Sequence, residues 1–131
     1  MAAKAWLFGD ADILAQIQAE DHPKAQKALG RKVSGFDERL WADACMPIVI
    51  GGSIARFSAN PPIAKQLLGT EDRILVEGSP YDRLWGVGIK WDDPKIEDER
   101  NWRGRNLLGK ALVVTRRVLA ERGAPRRRFS R

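Results

Sequence analysis

The chain has 131 residues and a formal net charge of +6 at pH 7. This length suits one compact domain, and its 44% hydrophobic and 31% charged residues exclude a largely disordered protein. One cysteine and one histidine exclude an internal disulfide and a metal centre built from several such ligands. No apolar run approaches the roughly 20 residues that span a bilayer, and no signal peptide is visible. These features predict a cytoplasmic protein that uses no metal or cofactor and binds no membrane.

The first third of the chain is predicted to be helical. One helix is expected over residues 10–19, where Asp10 or Asp12 can cap its start. A second helix is expected over residues 23–29, because proline suits the first helical position. A longer helix should open at Asp37, as the next apolar residues repeat at helical spacing.

Proline and glycine divide the rest of the chain into shorter predicted elements. Pro47 is expected to kink or end the third helix, because proline removes a backbone hydrogen bond. The segment that follows, residues 48–50, is compatible with helix or strand. Further along, the patterns predict a helix over 62–68, a strand over 73–77, a loop over 79–98 and a final helix over 104–119.

The basic charge of the chain lies at its C-terminal end. Seven arginines and one acid fall between residues 116 and 131, so this segment accounts for the whole net charge. Such an end can hold nucleic acid through phosphate neutralisation, or it can be a solvated, frayed terminus. We therefore predict a mainly α domain over residues 1–121, with a minor short strand element, and a basic disordered tail over residues 122–131.

The stretch from Leu75 to Gly88 carries the first candidate functional residues. The predicted strand ends in Glu77, a turn follows at Ser79, and Asp82 and Trp85 come next. Two carboxylates five residues apart can serve as acid and base or bind ribose hydroxyls, and tryptophan offers a flat stacking surface. The structural alternative is a turn in which Ser79 and Asp82 act as caps and Trp85 fills the core.

The stretch from Trp102 to Leu112 carries the second set. Asn106 stands at the start of the last predicted helix, where the helix dipole favours anions. Its amide can both donate and accept a hydrogen bond. The alternative is that Asn106 is an ordinary N-capping residue.

The order of short motifs along the chain resembles the NADAR (YbiA-like) family of N-glycosidases. The motif from Glu77 to Gly88, followed by the Trp-x-Gly-x-Asn-x-x-Gly stretch, is the most specific part. The residues that carry the resemblance are Lys4-Ala5, Leu7-Phe8-Gly9-Asp10, Ala28-Leu29-Gly30-Arg31-Lys32-Val33, Trp41, Arg56-Phe57, Leu68-Gly69-Thr70, Leu75-Val76-Glu77, Ser79-Pro80, Asp82, Trp85-Gly86, Gly88, Trp102, Gly104, Asn106-Leu107-Leu108-Gly109 and Arg116.

The resemblance implies a mainly α-helical YbiA-like fold and cleavage of N-glycosidic bonds. The family's substrates are early riboflavin-pathway intermediates and ADP-ribosylated guanine bases, so the expected partner is a small ribosyl or ADP-ribosyl substrate, which a nucleic-acid base can carry. By resemblance, the catalytic candidates are Lys4, Glu77 and Asp82, with Lys4 forming a sugar-linked imine. The substrate-binding candidates are Trp41, Ser79, Trp85, Gly86, Asn106 and Gly109.

One departure from the family pattern concerns the start of the chain. Family members carry a catalytic glutamate upstream of the Lys-Ala pair, whereas Lys4 is nearly the first residue here. The resemblance thus predicts a chain that lacks the first part of the domain, with Lys4 at a frayed end. An apolar patch at Trp6, Leu7 and Phe8 would then be exposed and could support a homodimer. The alternative function is a catalytically impaired module that binds ADP-ribose or a nucleotide.

Overall fold

The structure, a computed structural model, describes residues 1–123. The predicted tail lies outside the described residues from position 124 onward. The helices are α1 (Ala2–Leu7), α2 (Ala11–Ala19), α3 (Pro23–Gly30), α4 (Glu38–Ser58), α5 (Pro61–Leu68) and α6 (Leu107–Gly123). Two 3-10 turns, Pro94–Glu97 and Glu99–Asn101, lie between α5 and α6. The mainly α prediction is therefore confirmed.

The chain forms two compact units, Met1–Ile48 and Val49–Arg131, which we call unit 1 and unit 2. Unit 1 packs α1, α2 and α3 around Ala5, Ile17 and Val33, all of which are buried. That residues 1–121 form a single domain stays a prediction.

Asp10 fixes the start of α2 as the sequence predicted. Its Oδ1 accepts the N–H of Ile13 at 3.0 Å, which satisfies one of the free amides of the first helical turn. Its Oδ2 accepts both the N–H and the hydroxyl of Ser34, each at 2.8 Å. The backbone N–H groups of Ser34 and Ile13, with the Ser34 hydroxyl, lower the pKa of Asp10.

α4 continues through Pro47, so the proline does not end the helix, and residues 48–50 are helical rather than a strand. Within residues 1–123, α4 is the one helix with the length and composition to cross a membrane, at 21 residues and a mean hydropathy of 1.2. Only 6% of the apolar 18-residue stretch within this helix is buried. The expectation that no apolar run approaches spanning length is therefore wrong for α4. Length and composition alone are weak evidence for a membrane, so the absence of a membrane partner stays a prediction.

The strand predicted over residues 73–77 is wrong. No strand occurs among residues 1–123, and this segment has no regular secondary structure. Its backbone groups bond to side chains instead of to a neighbouring strand: Arg116 donates to the carbonyl of Arg73, and Asn106 pairs with Leu75 and Glu77. A short apolar run between turn signals is compatible with an extended chain but does not identify its hydrogen-bond partner.

α6 is the best-buried helix of unit 2. Its buried residues are Leu107, Gly109, Ala111, Thr115 and Arg116. Leu108 and Leu112, on the same helix, are only half-buried and line a cavity of about 450 Å³. The helix packs against α5.

Candidate functional site

Two segments of unit 2 hold most of the predicted site residues, and we call them the crossed loops: residues 77–88, which form no helix or strand, and residues 103–108, which end in the first two residues of α6. Five backbone hydrogen bonds join them, each running from an N–H of the second segment to a carbonyl of the first, at 2.8 to 3.1 Å. The donors are Arg103, Arg105, Asn106, Leu107 and Leu108. Hydrogen bonds to residues about 20 positions further along the chain therefore hold residues 77–88 in place, although these residues form no helix or strand.

Asn106 also connects the crossed loops to the backbone of residues 75–77. Its side-chain amide donates to the carbonyl of Leu75 at 2.8 Å and accepts the N–H of Glu77 at 3.0 Å. It is only 3% exposed, and its φ of 52° lies in the left-handed region that asparagine tolerates. The alternative of an N-capping asparagine is not what the structure shows. Because both amide atoms are engaged, the structure gives Asn106 a structural role, and contact with substrate stays a prediction.

Asp82 caps the tight turn that begins the glycine-rich part of the site. Its Oδ1 accepts the N–H groups of Trp85 at 2.7 Å, Leu84 at 3.0 Å and Gly86 at 3.5 Å. Asp82 therefore acts as a cap of the turn, which is the structural alternative to a functional role. A catalytic role for Asp82 stays a prediction.

Gly86 and Gly109 are required by close backbone approach. A Cβ on Gly86 would meet the carbonyl oxygens of Asp82 at 2.8 Å and Glu77 at 3.0 Å. A Cβ on Gly109 would overlap the carbonyl oxygen of Leu75 and approach both amide atoms of Asn106. These glycines let the backbone pack this closely, and substrate contact at either one remains untested.

Glu77 presents the acid of the crossed loops that the fold does not use. Its side chain is half-buried and takes part in no hydrogen bond or ion pair among residues 1–123, whereas its carbonyl accepts the N–H groups of Ser79 and Val87. The side chain of Ser79 makes no hydrogen bond within residues 1–123. Ser79 is therefore not a cap of the turn, as the structural alternative had it. Trp85 is half-buried beside them. The carboxylate of Glu77 is therefore available to a ligand.

Lys4 and Trp41 lie together in unit 1. Lys4 is in α1, and its Nζ donates to the carbonyl of Gly30 at 2.8 Å. The same Nζ is 4.3 Å from the ring centroid of Phe36 and 5.8 Å from that of Trp41. Partial burial lowers the pKa of Lys4 from its ordinary value of 10.5. The expectation of a frayed Lys4 is therefore wrong, since a helix and a hydrogen bond hold it in place.

The predicted apolar patch near the start of unit 1 is present only in part. Trp6 is 72% exposed, but Leu7 and Phe8 are half-buried. Phe8 packs edge-to-face on Phe36 at 5.3 Å between ring centroids. A homodimer stays a prediction.

Two contributors to these sites escaped the sequence analysis. Phe36 follows the turn at Ser34 and Gly35, and nothing in its local pattern indicates that it faces Lys4. Arg116 is buried and donates to the hydroxyl of Thr70 at 2.7 Å and the carbonyl of Arg73 at 2.9 Å. The sequence could have indicated this role, because an arginine on the apolar face of a helix requires hydrogen-bond partners.

Within residues 1–123, no group of three or more histidine, cysteine, aspartate or glutamate side chains is placed to hold a metal ion. The chemistry on offer there comes from an amine beside aromatic rings in unit 1 and a carboxylate on a rigid loop in unit 2. An amine in such surroundings can act as a nucleophile, and, separately, a carboxylate can stabilise positive charge on a bound ligand.

The chain belongs to the NADAR domain family, whose model matches residues 1–120. Protein irg-1 of Caenorhabditis elegans is 41% identical over 121 residues, which are 91% of this chain and 57% of that protein. N-glycosidase R617 of Acanthamoeba polyphaga mimivirus is 39% identical over 116 residues, covering 88% of this chain and 68% of the relative. The chloroplastic riboflavin biosynthesis protein PYRR of Zea mays is 29% identical over 109 residues, covering 80% and 16% respectively. The chain thus spans little more than half of irg-1.

Proposed function

We propose that this chain is an N-glycosidase that hydrolyses the bond between a ribose and a base-like amine. Its substrate would be a ribosylamine phosphate of the riboflavin pathway or an ADP-ribosylated guanine. The name of the mimiviral relative supports the activity, and that of the maize relative supports the first substrate class. Inside the chain, the environment of Lys4 supports it most.

Lys4 has the surroundings of an amine nucleophile. Its pKa is lowered by desolvation, which increases the neutral, nucleophilic fraction at a given pH. The faces of Phe36 and Trp41 form an apolar wall beside Nζ. The carbonyl of Gly30 fixes the position of the nitrogen.

The proposed reaction uses this amine and one water molecule. The ribose ring opens as its C1–O4 bond breaks and O4 takes a proton, leaving C1 doubly bonded to the substrate nitrogen. The Lys4 amine adds to C1, and the substrate amine leaves with a proton, so that Lys4 and C1 share an imine. Water then hydrolyses this imine, which releases the sugar aldehyde and restores the lysine.

A carboxylate assists because positive charge develops at C1 before each addition. Among the acids of the crossed loops in unit 2, Glu77 is the candidate that stays available to a ligand, since its carboxylate has no hydrogen-bond or ion-pair partner within residues 1–123. Asp82 was proposed from sequence for the same step, but its Oδ1 already accepts three backbone N–H groups.

The test is to trap the imine with borohydride. The protein is incubated with a ribosylaminopyrimidine phosphate, and separately with an ADP-ribosylated guanine oligonucleotide, while release of the amine or base is followed. We expect borohydride to attach the sugar covalently to Lys4, as read by peptide mass spectrometry. Lys4→Arg keeps the charge but cannot form an imine, so it should lose the adduct and slow release by ~100-fold or more.

The matched control is Lys24→Arg, because Lys24 is an exposed lysine of the same unit. It should retain both the adduct and the rate. Full activity in Lys4→Arg would refute the assigned chemistry. A chain that binds ADP-ribose but releases no base from either substrate would instead be the binding module.

A further inference from the structure

Unit 2 contains a second cavity, which the function proposed above does not use. It has a volume of about 320 Å³ and is bounded by the Pro80 turn, the segment after Gly88 and the 3-10 turn that follows Asp93. This volume is at the lower end of the range of small-ligand sites. It suits a phosphorylated sugar better than a large cofactor.

The floor of this cavity is backbone. Gly88 and Ile89 are buried, yet none of the hydrogen bonds among residues 1–123 uses the N–H of either residue. Gly88 has a φ of 70°, a conformation in which successive N–H groups can form an anion-binding concavity. Buried amides in native proteins are nearly always paired. Two such donors side by side therefore indicate a ligand or water that accepts from them.

The walls of the cavity are basic. Lys90, Lys95 and Arg103 line it with a single acid, Asp93, which leaves an excess of two positive charges. Asp93 is already engaged, as its Oδ1 accepts the N–H of Lys95 at 2.9 Å. The side chains of Lys95 and Arg103 have no hydrogen-bond or ion-pair partner in the described part of the chain.

The third cation is available by exchange. Lys90 pairs with Asp92 at 2.9 Å, but both side chains are exposed, at 63% and 43%. Ion pairs in such positions contribute little. A doubly charged phosphate can therefore take the place of Asp92 beside Lys90, while the forked guanidinium of Arg103 suits two phosphate oxygens.

We infer that this cavity binds the phosphate group of a phosphorylated ribose, with Arg103 and Lys95 as the main side-chain contacts. Binding of the anion follows from the cavity itself. The choice of a phosphorylated ribose as the ligand rests on the proposed function, whose substrates carry that group. The sugar phosphate and the diphosphate of ADP-ribose share this chemistry, so they are separated by experiment.

The experiment measures binding without turnover. The protein is titrated with ribose 5-phosphate, ribose, inorganic phosphate and ADP-ribose, by calorimetry and by the amide NMR signals of Gly88 and Ile89. We expect ribose 5-phosphate to bind and to shift both amides, whereas ribose does neither. Affinity should fall as salt rises, because charge attraction to a partly exposed site is screened. The comparison with ADP-ribose and phosphate identifies the source of the anion.

Variants separate this cavity from general basicity. Arg103→Gln and Lys95→Gln should each weaken ribose 5-phosphate binding by ~10-fold, the amount expected for one charge-assisted hydrogen bond. Arg105→Gln is the matched control, since Arg105 is also exposed and lies outside the cavity. Unchanged circular dichroism melting curves would verify that the variants fold.

The outcomes distinguish the inference from the proposed function. Equal binding by Arg103→Gln, Lys95→Gln and Arg105→Gln would overturn the inference, whether or not the enzyme turns over. If ribose 5-phosphate binding is lost selectively in Arg103→Gln and Lys95→Gln while the wild-type protein releases no amine from any substrate, the cavity is supported and the glycosidase is refuted. If Arg103→Gln turns over a phosphorylated substrate with an unchanged KM, the glycosidase is supported and the cavity is refuted.

Discussion

Replacing Asn106 is expected to destabilise unit 2 more than any other single change at the crossed loops. Asn106→Ala removes two part-buried hydrogen bonds, at 2.8 and 3.0 Å, and leaves the carbonyl of Leu75 and the N–H of Glu77 without partners. Each unpaired buried group costs about 1–3 kcal/mol. Alanine at a φ of 52° adds about 1 kcal/mol. The sum, about 3–7 kcal/mol, is a large part of the 5–15 kcal/mol that stabilises a typical domain.

Urea denaturation followed by circular dichroism measures this loss. Because Asn106→Ala can unfold outright, Asn106→Asp is the second variant: it can still accept from Glu77 but cannot donate to Leu75. We expect it to lose about 2 kcal/mol or more. Asn60→Ala is the control, since Asn60 is exposed and makes one hydrogen bond, to the carbonyl of Arg56. If both Asn106 variants melt like the wild type but fail to bind or cleave substrate, Asn106 is a substrate contact and our reasoning is wrong.

Three further predictions concern single residues. Gly109→Ala should destabilise unit 2, because its Cβ overlaps the Leu75 carbonyl; a melting temperature equal to that of the wild type would contradict this. Asp82→Ala should cost about 1 kcal/mol as a lost cap, whereas Asp82→Asn keeps an acceptor oxygen and should melt nearly normally, so loss of turnover in Asp82→Asn would reveal a catalytic carboxylate. The rate of imine trapping at Lys4 should rise with pH around a pKa below 10.5. Between that pKa and 10.5 the unfolded chain binds more protons, so stability should also rise with pH; a trapping midpoint at or above 10.5 would contradict the burial argument.

The starts of α2 and α3 were predictable because both are marked by local chemistry. Asp10 caps α2 through its own side chain, and Pro23 opens α3 at the position that lacks a hydrogen-bonding requirement. The end of the long helix was not predictable in the same way. Whether a proline such as Pro47 ends a helix depends on packing around it, which the local sequence does not encode.

The candidate site was predictable in its residues but not in their partners. The motifs marked two stretches, one with Glu77 and Asp82 and one with Asn106, and hydrogen bonds join these two stretches in the structure. The hydrogen bond between Asn106 and Glu77 spans 29 residues, so no local window contains it. For the same reason, the segment that Asn106 pairs with was mistaken for a strand.

The contact between Val87 and Arg103 has a consequence for how this fold can change. The N–H of Arg103 donates to the carbonyl of Val87 at 2.8 Å, so the chain leaves the crossed loops and returns to them at one point. Residues 88–102 therefore form an excursion closed at its neck, and lengthening such a loop costs only a fraction of a kcal/mol per added residue. Gly88 and Ile89, at the start of the excursion, are buried, and the backbone of Trp91 approaches Gly78 closely. In evolution or engineering, insertions are therefore expected to disturb unit 2 least in the more exposed stretch after Trp91.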